Sequence, residues 1–463
     1  MRIAIIGKSP INEPLKERLL SEGLTPVLVE NINDILGVVG QKGDFAIRTR
    51  YGDVEAGYVI ATQGPELSNP VPEVPSLPLS GSSVQNILDK NAKQAVLLLD
   101  YPDESPGIMT EIALKKAAEL ARKRVNVVCL ARFIRTSGGY LEQLYREARH
   151  FNAVFIKYSE LSMDCFENAV VIHARINEGN ETISIKTDNL IIAEKISAGE
   201  DIREMASRLR IHLDDEGKAS GDNPFVFSAM TNRKGVFALH NTSPGLTNET
   251  KEMIDYTIAA IKMEMAAGKN SGHAVVDADK CALCYTCYRV CTHAAMAPDP
   301  NPDRSAMMNL EEACYGCGIC VSQCPAAAVR LTEAGMEVKP EMAMKGSLKI
   351  FCCENSAKLA FERAKPELEE IYDKVDITPV SCGGEITTAG ILSALHRYRK
   401  VLVAVCMDDA CKHLEGNKRA KRQVLKAQQL LKSIAMDPGR IEYVQLSHAM
   451  PRVMAETVIE ALG

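Results

Sequence analysis

The cysteines of this chain are numerous and unevenly placed. The sequence contains 15 of them, and all but two lie between Cys281 and Cys411. Thiolates bind soft metals and iron–sulfur clusters, or pair as disulfides in oxidising compartments. A secreted disulfide scaffold is usually short, and we expect no export signal here because the apolar run at residues 3–6 is too brief. Metal or cluster ligation is therefore the chemistry predicted for the C-terminal half.

Two blocks, CALCYTCYRVC and CYGCGICVSQCP, repeat one cysteine spacing. Each has three cysteines separated by two residues and a fourth after three more. This spacing is typical of two-cluster ferredoxins, in which the fourth cysteine of each block binds the other cluster. A pair of four-cysteine zinc sites is the alternative, although zinc modules use separated C-x2-C pairs. The spacing predicts two [4Fe-4S] sites, one with Cys281, Cys284, Cys287 and Cys324, the other with Cys291, Cys314, Cys317 and Cys320.

The remaining C-terminal cysteines follow the ends of predicted strands. Cys353, Cys382 and Cys406 come after the apolar stretches SLKIF, VDITPV and VLVAV, and predicted helices separate these stretches. Such alternation predicts a parallel sheet with crossover helices, whose carboxyl edge collects the residues that follow each strand. With Cys411 one loop later, the pattern predicts a site of four thiolates. Zinc or a redox disulfide stays possible, because four thiolates alone do not select a metal.

The segment from about residue 347 to 462 resembles the delta-subunit domain of methyl-viologen-reducing hydrogenase. The resemblance is carried by the motifs CENSA, CGGE, CMDDAC, HLEGN and MDPGRIEYV. It implies a [2Fe-2S] cluster that passes electrons to heterodisulfide reductase, with Cys353, Cys382, Cys406 and Cys411 as ligands. The family often has a second cysteine three residues after the first, where this chain has Ser356. Cys352 is an alternative first ligand, because it adjoins Cys353 in the sequence.

The N-terminal sequence RIAIIGKSPINEPLKERLLSEGLTPVLVE predicts a strand, a helix and a second strand that ends at Glu30. This is the layout of a nucleotide-binding βαβ unit. After Gly7, however, the second and third glycines of the fingerprint are replaced by Ser9 and Asn12, and Pro10 removes a backbone donor. A pyrophosphate needs close approach to the helix N-terminus. The loop that should contact the pyrophosphate therefore lacks two of the glycines and one of the backbone donors that this contact requires.

Residues 1 to 335 resemble the flavoprotein subunit of heterodisulfide reductase and the B subunit of the quinone-interacting oxidoreductase of sulfate reducers. The segments GDFAIRTRYGDVEAGYVIATQG, ARFIRTSGGYLEQLYREARHFNAVFIK, DNLIIAEKI and TNRKGVFALHNTSPG carry this resemblance. The long flavin-binding segment of the family is missing, and His240-Asn241 replace its late glycine-aspartate. A retained Rossmann-like scaffold without flavin is favoured, and bound FAD is the alternative. The residues that the resemblance assigns to a flavin pocket are Gly7, Glu30, Ala61, Thr62 and Gly64.

Composition limits the remaining function classes. The chain is 46% hydrophobic and 25% charged, as is usual for globular proteins, and its net charge of -6 argues against nucleic-acid binding. No apolar run approaches the roughly 18 residues of a spanning helix, so we expect a cytoplasmic protein that meets a membrane only through a partner. Cys129 is predicted to be a buried thiol and Cys165 to lack a partner. His293 is interpreted as a surface or packing residue.

Taken together, these features predict an α/β protein in three parts. These are a degenerate Rossmann-like flavoprotein region (1–270), a two-[4Fe-4S] ferredoxin domain (271–340) and a C-terminal parallel α/β domain with a [2Fe-2S] cluster (347–463). The predicted function is electron transfer within an anaerobic heterodisulfide-reductase-like complex, with a hydrogenase or formate dehydrogenase module as partner. The alternatives are an FAD-containing enzyme that splits electron pairs, and a binding module with structural zinc.

Overall fold

The computed structural model has an α/β architecture, as predicted, with all-parallel sheets near both ends of the chain. None of the described helices has both the length and the apolar character needed to cross a membrane. The described residues are 1–62, 66–89, 92–105, 107–136, 140–167, 169–176, 181–197, 200–213, 229–239, 248–266, 272–332 and 348–463.

The strands and helices follow one another in four stretches of the chain. The first contains β1 (Arg2–Ile6), α1 (Asn12–Ser21), β2 (Thr25–Val29), β3 (Ile35–Gln41), β4 (Asp44–Thr49), β5 (Gly52–Ala56), β6 (Tyr58–Ala61), β7 (Glu66–Ser68), β8 (Leu77–Pro78) and α2 (Val84–Asp89). The second contains β9 (Gln94–Leu98), α3 (Gly107–Arg122), β10 (Asn126–Ala131), α4 (Leu141–His150), β11 (Val154–Phe166), β12 (Ala169–Ile176), β13 (Thr182–Thr187), β14 (Leu190–Ile192), β15 (Lys195–Ser197) and α5 (Glu200–Leu209). The third contains β16 (Val236–Ala238), α6 (Asn248–Ala266), β17 (Ala274–Val276), α7 (Thr286–Val290), β18 (Met296–Pro298), β19 (Met307–Asn309), α8 (Ile319–Gln323) and β20 (Val329–Leu331). The fourth contains β21 (Leu348–Cys353), α9 (Ala357–Ala364), β22 (Val375–Val380), α10 (Thr388–Leu395), β23 (Lys400–Val405), α11 (Gly416–Ser433), β24 (Ile441–Gln445) and α12 (Pro451–Leu462).

The N-terminal sheet is built on the predicted βαβ unit. Its four strands are parallel and lie in the order β16-β6-β1-β2. Successive side chains of β1 alternate between two cores: Ile3 and Ile5 pack with α1 and α6, and Ala4 and Ile6 pack with α5 and the β3–β5 meander. Burial on both faces explains why β1 is continuously apolar.

A second α/β unit follows, which the sequence analysis does not identify as one. Strands β9, β10 and β14 are parallel, and β11 continues from this sheet into an antiparallel pairing with β12 and β13. Helices α3 and α4 cover one face of the sheet. Cys129, in β10, is 2% exposed within this core, so its prediction as a buried thiol is confirmed. Cys165 is exposed in β11.

The predicted ferredoxin region contains two small antiparallel pairs, β17 with β20 and β18 with β19. The first pair joins the beginning of the region to its end. Short helices α7 and α8 lie against each other, and each contains one cysteine of its block, Cys287 in α7 and Cys320 in α8. The two halves of the repeated motif are thereby packed together.

The C-terminal sheet is parallel, with strand order β22-β21-β23-β24. Helices α9 and α12 cover one face, and α10 and α11 cover the other. The sequence predicts one helical stretch up to residue 374, but α9 ends at Ala364 and the chain continues as a 3-10 helix over Lys365–Lys374. Pro366 explains the change, because proline lacks the N–H that would continue an α-helix.

Candidate metal centres

Four cysteines meet at the carboxyl edge of the C-terminal sheet, and we name this group the C-terminal site. Cys353 ends β21, Cys406 follows β23 directly, and Cys382 comes two residues after β22. Together with Cys411 they line one cavity of about 110 Å³, and each is at most 9% exposed. Because parallel strands all end at the same edge, residues far apart in sequence converge here.

The sulfur atoms of the C-terminal site form a connected set. Hydrogen bonds from the Cys382 and Cys406 thiols lower the pKa of Cys411 to about 2. A hydrogen bond from Cys406 likewise lowers the pKa of Cys353. The same contacts raise the pKa values of Cys382 and Cys406, which act as the donors. Four buried sulfurs that share protons in this way form a donor set suited to a thiophilic metal.

The structure distinguishes Cys353 from its neighbour Cys352. Cys353 lines the cavity, whereas Cys352 lies in the hydrophobic core beneath α9 and α12. The difference follows from the alternation of side chains along a strand. Ser356 also lines the cavity, and its hydroxyl donates to the Leu446 carbonyl oxygen. The geometry therefore favours Cys353 over Cys352 as the strand residue of this site.

Two glycines allow the backbone to approach the sulfurs. A Cβ atom added at Gly416 would overlap the Cys382 Sγ, and it would lie 3.3 Å from the Cys411 Sγ. The Gly384 N–H donates to the Cys382 Sγ at 3.4 Å. A backbone donor of this kind stabilises negative charge on a sulfur. The loop after β22 and the start of α11 thus enclose the site without side chains in between.

The ferredoxin region gathers its eight cysteines into two groups of four. Each group takes three cysteines from one block and one from the other, in agreement with the crossed pairing that the spacing predicts. We call the first the outer site and the second the junction site. The outer site contains Cys281, Cys284, Cys287 and Cys324. The junction site contains Cys291, Cys314, Cys317 and Cys320.

Backbone N–H groups point at sulfur atoms in both ferredoxin sites. In the outer site, Met307 donates to the Cys281 Sγ at 3.4 Å and Ala328 donates to the Cys324 Sγ at 3.3 Å. The junction site has matching donors, from Ala295 to Cys291 at 3.2 Å and from Gly316 to Cys314 at 3.4 Å. Such donors favour thiolates over thiols. The donor set fits iron–sulfur clusters, which bind Cys thiolates and are tuned by hydrogen bonds to sulfur.

The two ferredoxin sites differ in their exposure to water. Cys284 of the outer site is exposed, and its hydrogen bond with the Thr286 hydroxyl lowers its pKa. Burial raises the pKa of Cys287 to about 11. In the junction site, burial raises the pKa values of Cys317 and Cys320. A negative charge is therefore more costly in the junction site.

The junction site lies against the C-terminal site. Cys317 packs on the cluster of Cys382, Cys406 and Cys411. The contact continues through α8, since the Ser322 hydroxyl donates to the Gly384 carbonyl oxygen at 2.6 Å. A Cβ atom added at Gly384 would overlap the Ile319 side chain, so the two backbones approach closely. The two groups of cysteines share one buried interface.

A pair of histidines spans the same interface and is not identified as a pair from the sequence. His293 Nε2 lies 2.9 Å from His413 Nδ1, and His293 Nδ1 lies 2.7 Å from the Asn232 carbonyl oxygen. Burial lowers the pKa of His293 to about 3 and that of His413 to about 4, so both are neutral at pH 7. Because a carbonyl only accepts, His293 carries its proton on Nδ1 and accepts from His413. His293 is 1% exposed, which agrees with a packing role rather than a surface one.

Several donors of the predicted flavin pocket are hydrogen-bonded within the protein, in the part that the structure describes. The Gly7 N–H donates to Val29, and the Asn12 amide and the Thr62 hydroxyl both reach the Gly7 carbonyl oxygen, at 2.9 and 3.5 Å. The N–H of Asn12 is bound to the Ser9 carbonyl oxygen at 3.1 Å. These donors are thus unavailable to a pyrophosphate. Of the other predicted pocket residues, Ala61 is buried, Glu30 is exposed and Gly64 lies outside the described residues.

In the second α/β unit, too, a group of the protein binds the backbone donors at the sheet edge. The Asp100 carboxylate accepts from the backbone N–H groups of Ser105, Arg132 and Phe133 at 2.8 to 3.1 Å. These donors lie after β9 and β10, at the edge where doubly wound sheets bind ligands. A side chain of the protein therefore occupies this group of donors. The apolar run before Asp100 and the helix starting at Gly107 are the sequence signals for this unit.

The C-terminal domain matches a known family. Residues 348–462 match the family described as "Methyl-viologen-reducing hydrogenase, delta subunit", which confirms the resemblance seen in the sequence for this part of the chain. The matched region contains all four cysteines of the C-terminal site. No curated protein matches the sequence.

Solved flavoproteins resemble the chain at low similarity. Thioredoxin reductase from T. acidophilum is 13% identical, with a TM-score of 0.38 over 56% of this chain and 96% of its own. The sulfide:quinone oxidoreductase from Aquifex aeolicus is 12% identical, with a TM-score of 0.38 over 60% of this chain and 79% of its own. The HOCl-induced flavoprotein disulfide reductase from Escherichia coli is 12% identical, with a TM-score of 0.34 over 59% and 74%. No functional residue is inferred from these structures.

Proposed function

We propose that this chain is an iron–sulfur electron-transfer subunit of a heterodisulfide-reductase-like oxidoreductase complex. The observation that carries the proposal is the contact of Cys317 with Cys382, Cys406 and Cys411, which joins the junction site to the C-terminal site. Redox groups held by touching sulfur side chains exchange electrons over a short path. The outer site, with its exposed Cys284, supplies the end of the path that faces solvent.

The three groups of cysteines would hold three clusters. The outer and junction sites suit [4Fe-4S] clusters because each combines three closely spaced thiolates with a fourth from the other block. The C-terminal site would hold a [2Fe-2S] cluster, and the match to a hydrogenase subunit supports this choice over zinc. When bound, each cluster supplies one-electron chemistry. The protein's own residues fix the spacing of the sites, bury all four cysteines of the C-terminal site and donate N–H groups to sulfurs in each site.

We further propose that the N-terminal region is a Rossmann-like scaffold without FAD. The support is the engagement of Gly7 and Asn12 within their own loop, which removes donors that a pyrophosphate needs. In this proposal the region serves the ferredoxin sites structurally. Bound FAD, and with it an enzyme that splits electron pairs, is the outcome that would contradict it.

The partner is a redox subunit rather than a small substrate. The matched family is described as a hydrogenase subunit, which supports assembly with a hydrogenase or a comparable module such as formate dehydrogenase. Electrons would pass between that module and a heterodisulfide-reductase-like subunit through the three sites. Since exposed clusters are sensitive to oxygen, an anaerobic cytoplasm is the setting that we propose.

Metal and flavin analysis of the anaerobically purified full chain tests these proposals. Three clusters correspond to about ten irons per chain, and we expect no flavin in the acid extract. About eight irons and one zinc would contradict the [2Fe-2S] assignment and support the structural-zinc alternative. About one released flavin per chain would contradict the empty scaffold. Absence of iron would overturn the electron-transfer function altogether.

A further inference from the structure

Two cations of the N-terminal region reach the ferredoxin region, Lys234 at the junction-site ligand Cys314 and Arg210 at the segment between Cys287 and Cys291. The Lys234 Nζ donates to the Cys314 carbonyl oxygen at 2.8 Å and lies 4.2 Å from the centre of the Tyr315 ring. Arg210 donates to the Tyr288 carbonyl oxygen at 2.9 Å, and its guanidinium carbon lies 4.1 Å from the Tyr288 ring centre. Within the described residues, neither cation forms an ion pair with a carboxylate. Both side chains donate to backbone carbonyl groups of the ferredoxin region, and the carboxylates of Glu264 and Glu312 also act on the charge of Lys234.

The junction site has a specific need for positive charge. Four thiolates and a cluster carry net negative charge, and one further negative charge arrives with each electron. Lys234 donates to the main chain of the ligand Cys314, and Arg210 donates to the main chain of Tyr288, three residues before the ligand Cys291. A largely buried site without nearby cations would resist reduction.

The outer site has one comparable contact, but on its exposed side. Its Cys284 is exposed to water, which solvates added charge. The nearest basic side chains are exposed or already paired, since Lys280 forms an ion pair with Asp277 at 2.9 Å. Arg289 donates to the Cys284 carbonyl oxygen at 2.8 Å on the exposed side. Water therefore screens the charges beside the outer site more strongly than those beside the more buried junction site.

Building on the proposed function, we propose that Arg210 and Lys234 are positioning residues that supply the counter-charge for an electron held at the junction site. One electron leaves the C-terminal site, which is oxidised, and enters the junction site, which is reduced; no covalent bond forms or breaks. The N-terminal region then supplies positive charge beside the ferredoxin region. This gives a direct redox role to a scaffold whose nucleotide-binding edge is closed.

Redox titration of the anaerobically purified full chain, followed by electron paramagnetic resonance, tests the proposal. The variant Lys234→Met removes the charge and keeps the chain length, Lys234→Arg keeps the charge, and Arg210→Gln removes the second cation. The matched control is Lys280→Met beside the outer site. The junction signal is identified as the four-iron signal that Cys320→Ser removes.

We expect Lys234→Met to lower the reduced-to-oxidised ratio of the junction signal about tenfold at fixed poise, which for one electron corresponds to 59 mV. Arg210→Gln should shift it in the same direction, and Lys234→Arg and Lys280→Met should leave it unchanged. Unshifted junction signals in both Lys234→Met and Arg210→Gln would overturn the proposal, as would equal shifts at both four-iron signals. If Lys234→Met fails to fold, the contrast between Arg210→Gln and Lys234→Arg decides. Absence of four-iron signals from the unaltered chain would overturn the proposed function itself.

Discussion

The two all-parallel sheets of this chain end in edges of opposite character. At the C-terminal sheet, the loops after three strands place Cys353, Cys382 and Cys406 around one cavity. At the N-terminal sheet, Asn12 and Thr62 instead bind the carbonyl oxygen of Gly7 and close the edge. The same parallel topology thus gathers potential metal ligands at one sheet edge and polar groups that hydrogen-bond to one another at the other.

The difference shows that sheet topology alone does not determine what a sheet edge can bind. A parallel sheet guarantees that residues after its strands converge, but the residue types there determine what converges. In the C-terminal domain those residues are thiols with glycines beside them. In the N-terminal region they are amides and hydroxyls that satisfy one another. Four substitutions test this comparison, from the largest expected effect to the smallest.

Replacement of Cys382 by serine should abolish the metal centre of the C-terminal sheet. Cys382 is fully buried beside Cys411 and accepts from the Gly384 N–H, so the substitution removes one of the four thiolates from the centre of the site. We expect loss of one spectroscopic signal and of about two irons per chain, with the ferredoxin signals retained. Cys352→Ala is the matched control, because Cys352 lies in the core and should leave all signals intact. Survival of every signal in Cys382→Ser would refute the ligand assignment.

Replacement of Gly416 by alanine should have a smaller but still large effect on the same edge. The added methyl group would overlap the Cys382 sulfur, so either the sulfur or the start of α11 has to move. We expect most of the C-terminal signal to be lost while the far-ultraviolet circular dichroism stays unchanged. Gly107→Ala is a suitable control, since an added Cβ there meets nothing within 4 Å. An intact C-terminal signal in Gly416→Ala would contradict the close contact between Gly416 and the Cys382 sulfur.

Replacement of Thr62 by valine probes the closed edge of the N-terminal sheet. The fully buried hydroxyl donates to the Ile6 carbonyl oxygen at 3.2 Å, so its removal deletes one buried hydrogen bond, while the Thr62 N–H still donates to the same oxygen at 2.8 Å. We expect the free energy of unfolding to fall by about 1 kcal/mol in urea titration, with iron content unchanged. A closed edge has a structural role only, so flavin content should also stay the same. Loss of a bound chromophore in this variant would contradict the closed edge.

Replacement of Asp409 by asparagine should produce the smallest change. Asp409 lies in the loop between Cys406 and Cys411, but its side chain is 93% exposed and lies 3.7 Å from the Lys418 ammonium group. Removal of its negative charge should make the C-terminal site slightly easier to reduce, by less than about twofold in the reduced-to-oxidised ratio. Redox titration at low and high salt would detect this, and the difference should vanish at high salt. A tenfold change would mean that the loop lies much closer to the metal.

Parts of the C-terminal edge were predictable because they depend on local pattern. The apolar stretches before Cys353, Cys382 and Cys406 indicate strands, and parallel pairing follows from the intervening helices. The contact of His293 with His413 was not predictable, since the two residues are 120 positions apart and lie in different regions. The closure by Asp100 was missed for another reason: a carboxylate that accepts backbone N–H groups leaves no spacing signature.

The exchange of the fourth cysteines between the two ferredoxin blocks has a consequence for the order of assembly. A growing chain exposes Cys281, Cys284 and Cys287 well before Cys324, and it exposes Cys291 well before the second block. Neither group of four is complete until that block has left the ribosome, and β17 meets its partner β20 only afterwards. We therefore expect metal loading to begin late in synthesis and to fill both ferredoxin sites together. A chain truncated before the second block would expose unliganded thiols and would contain neither complete group of four cysteines.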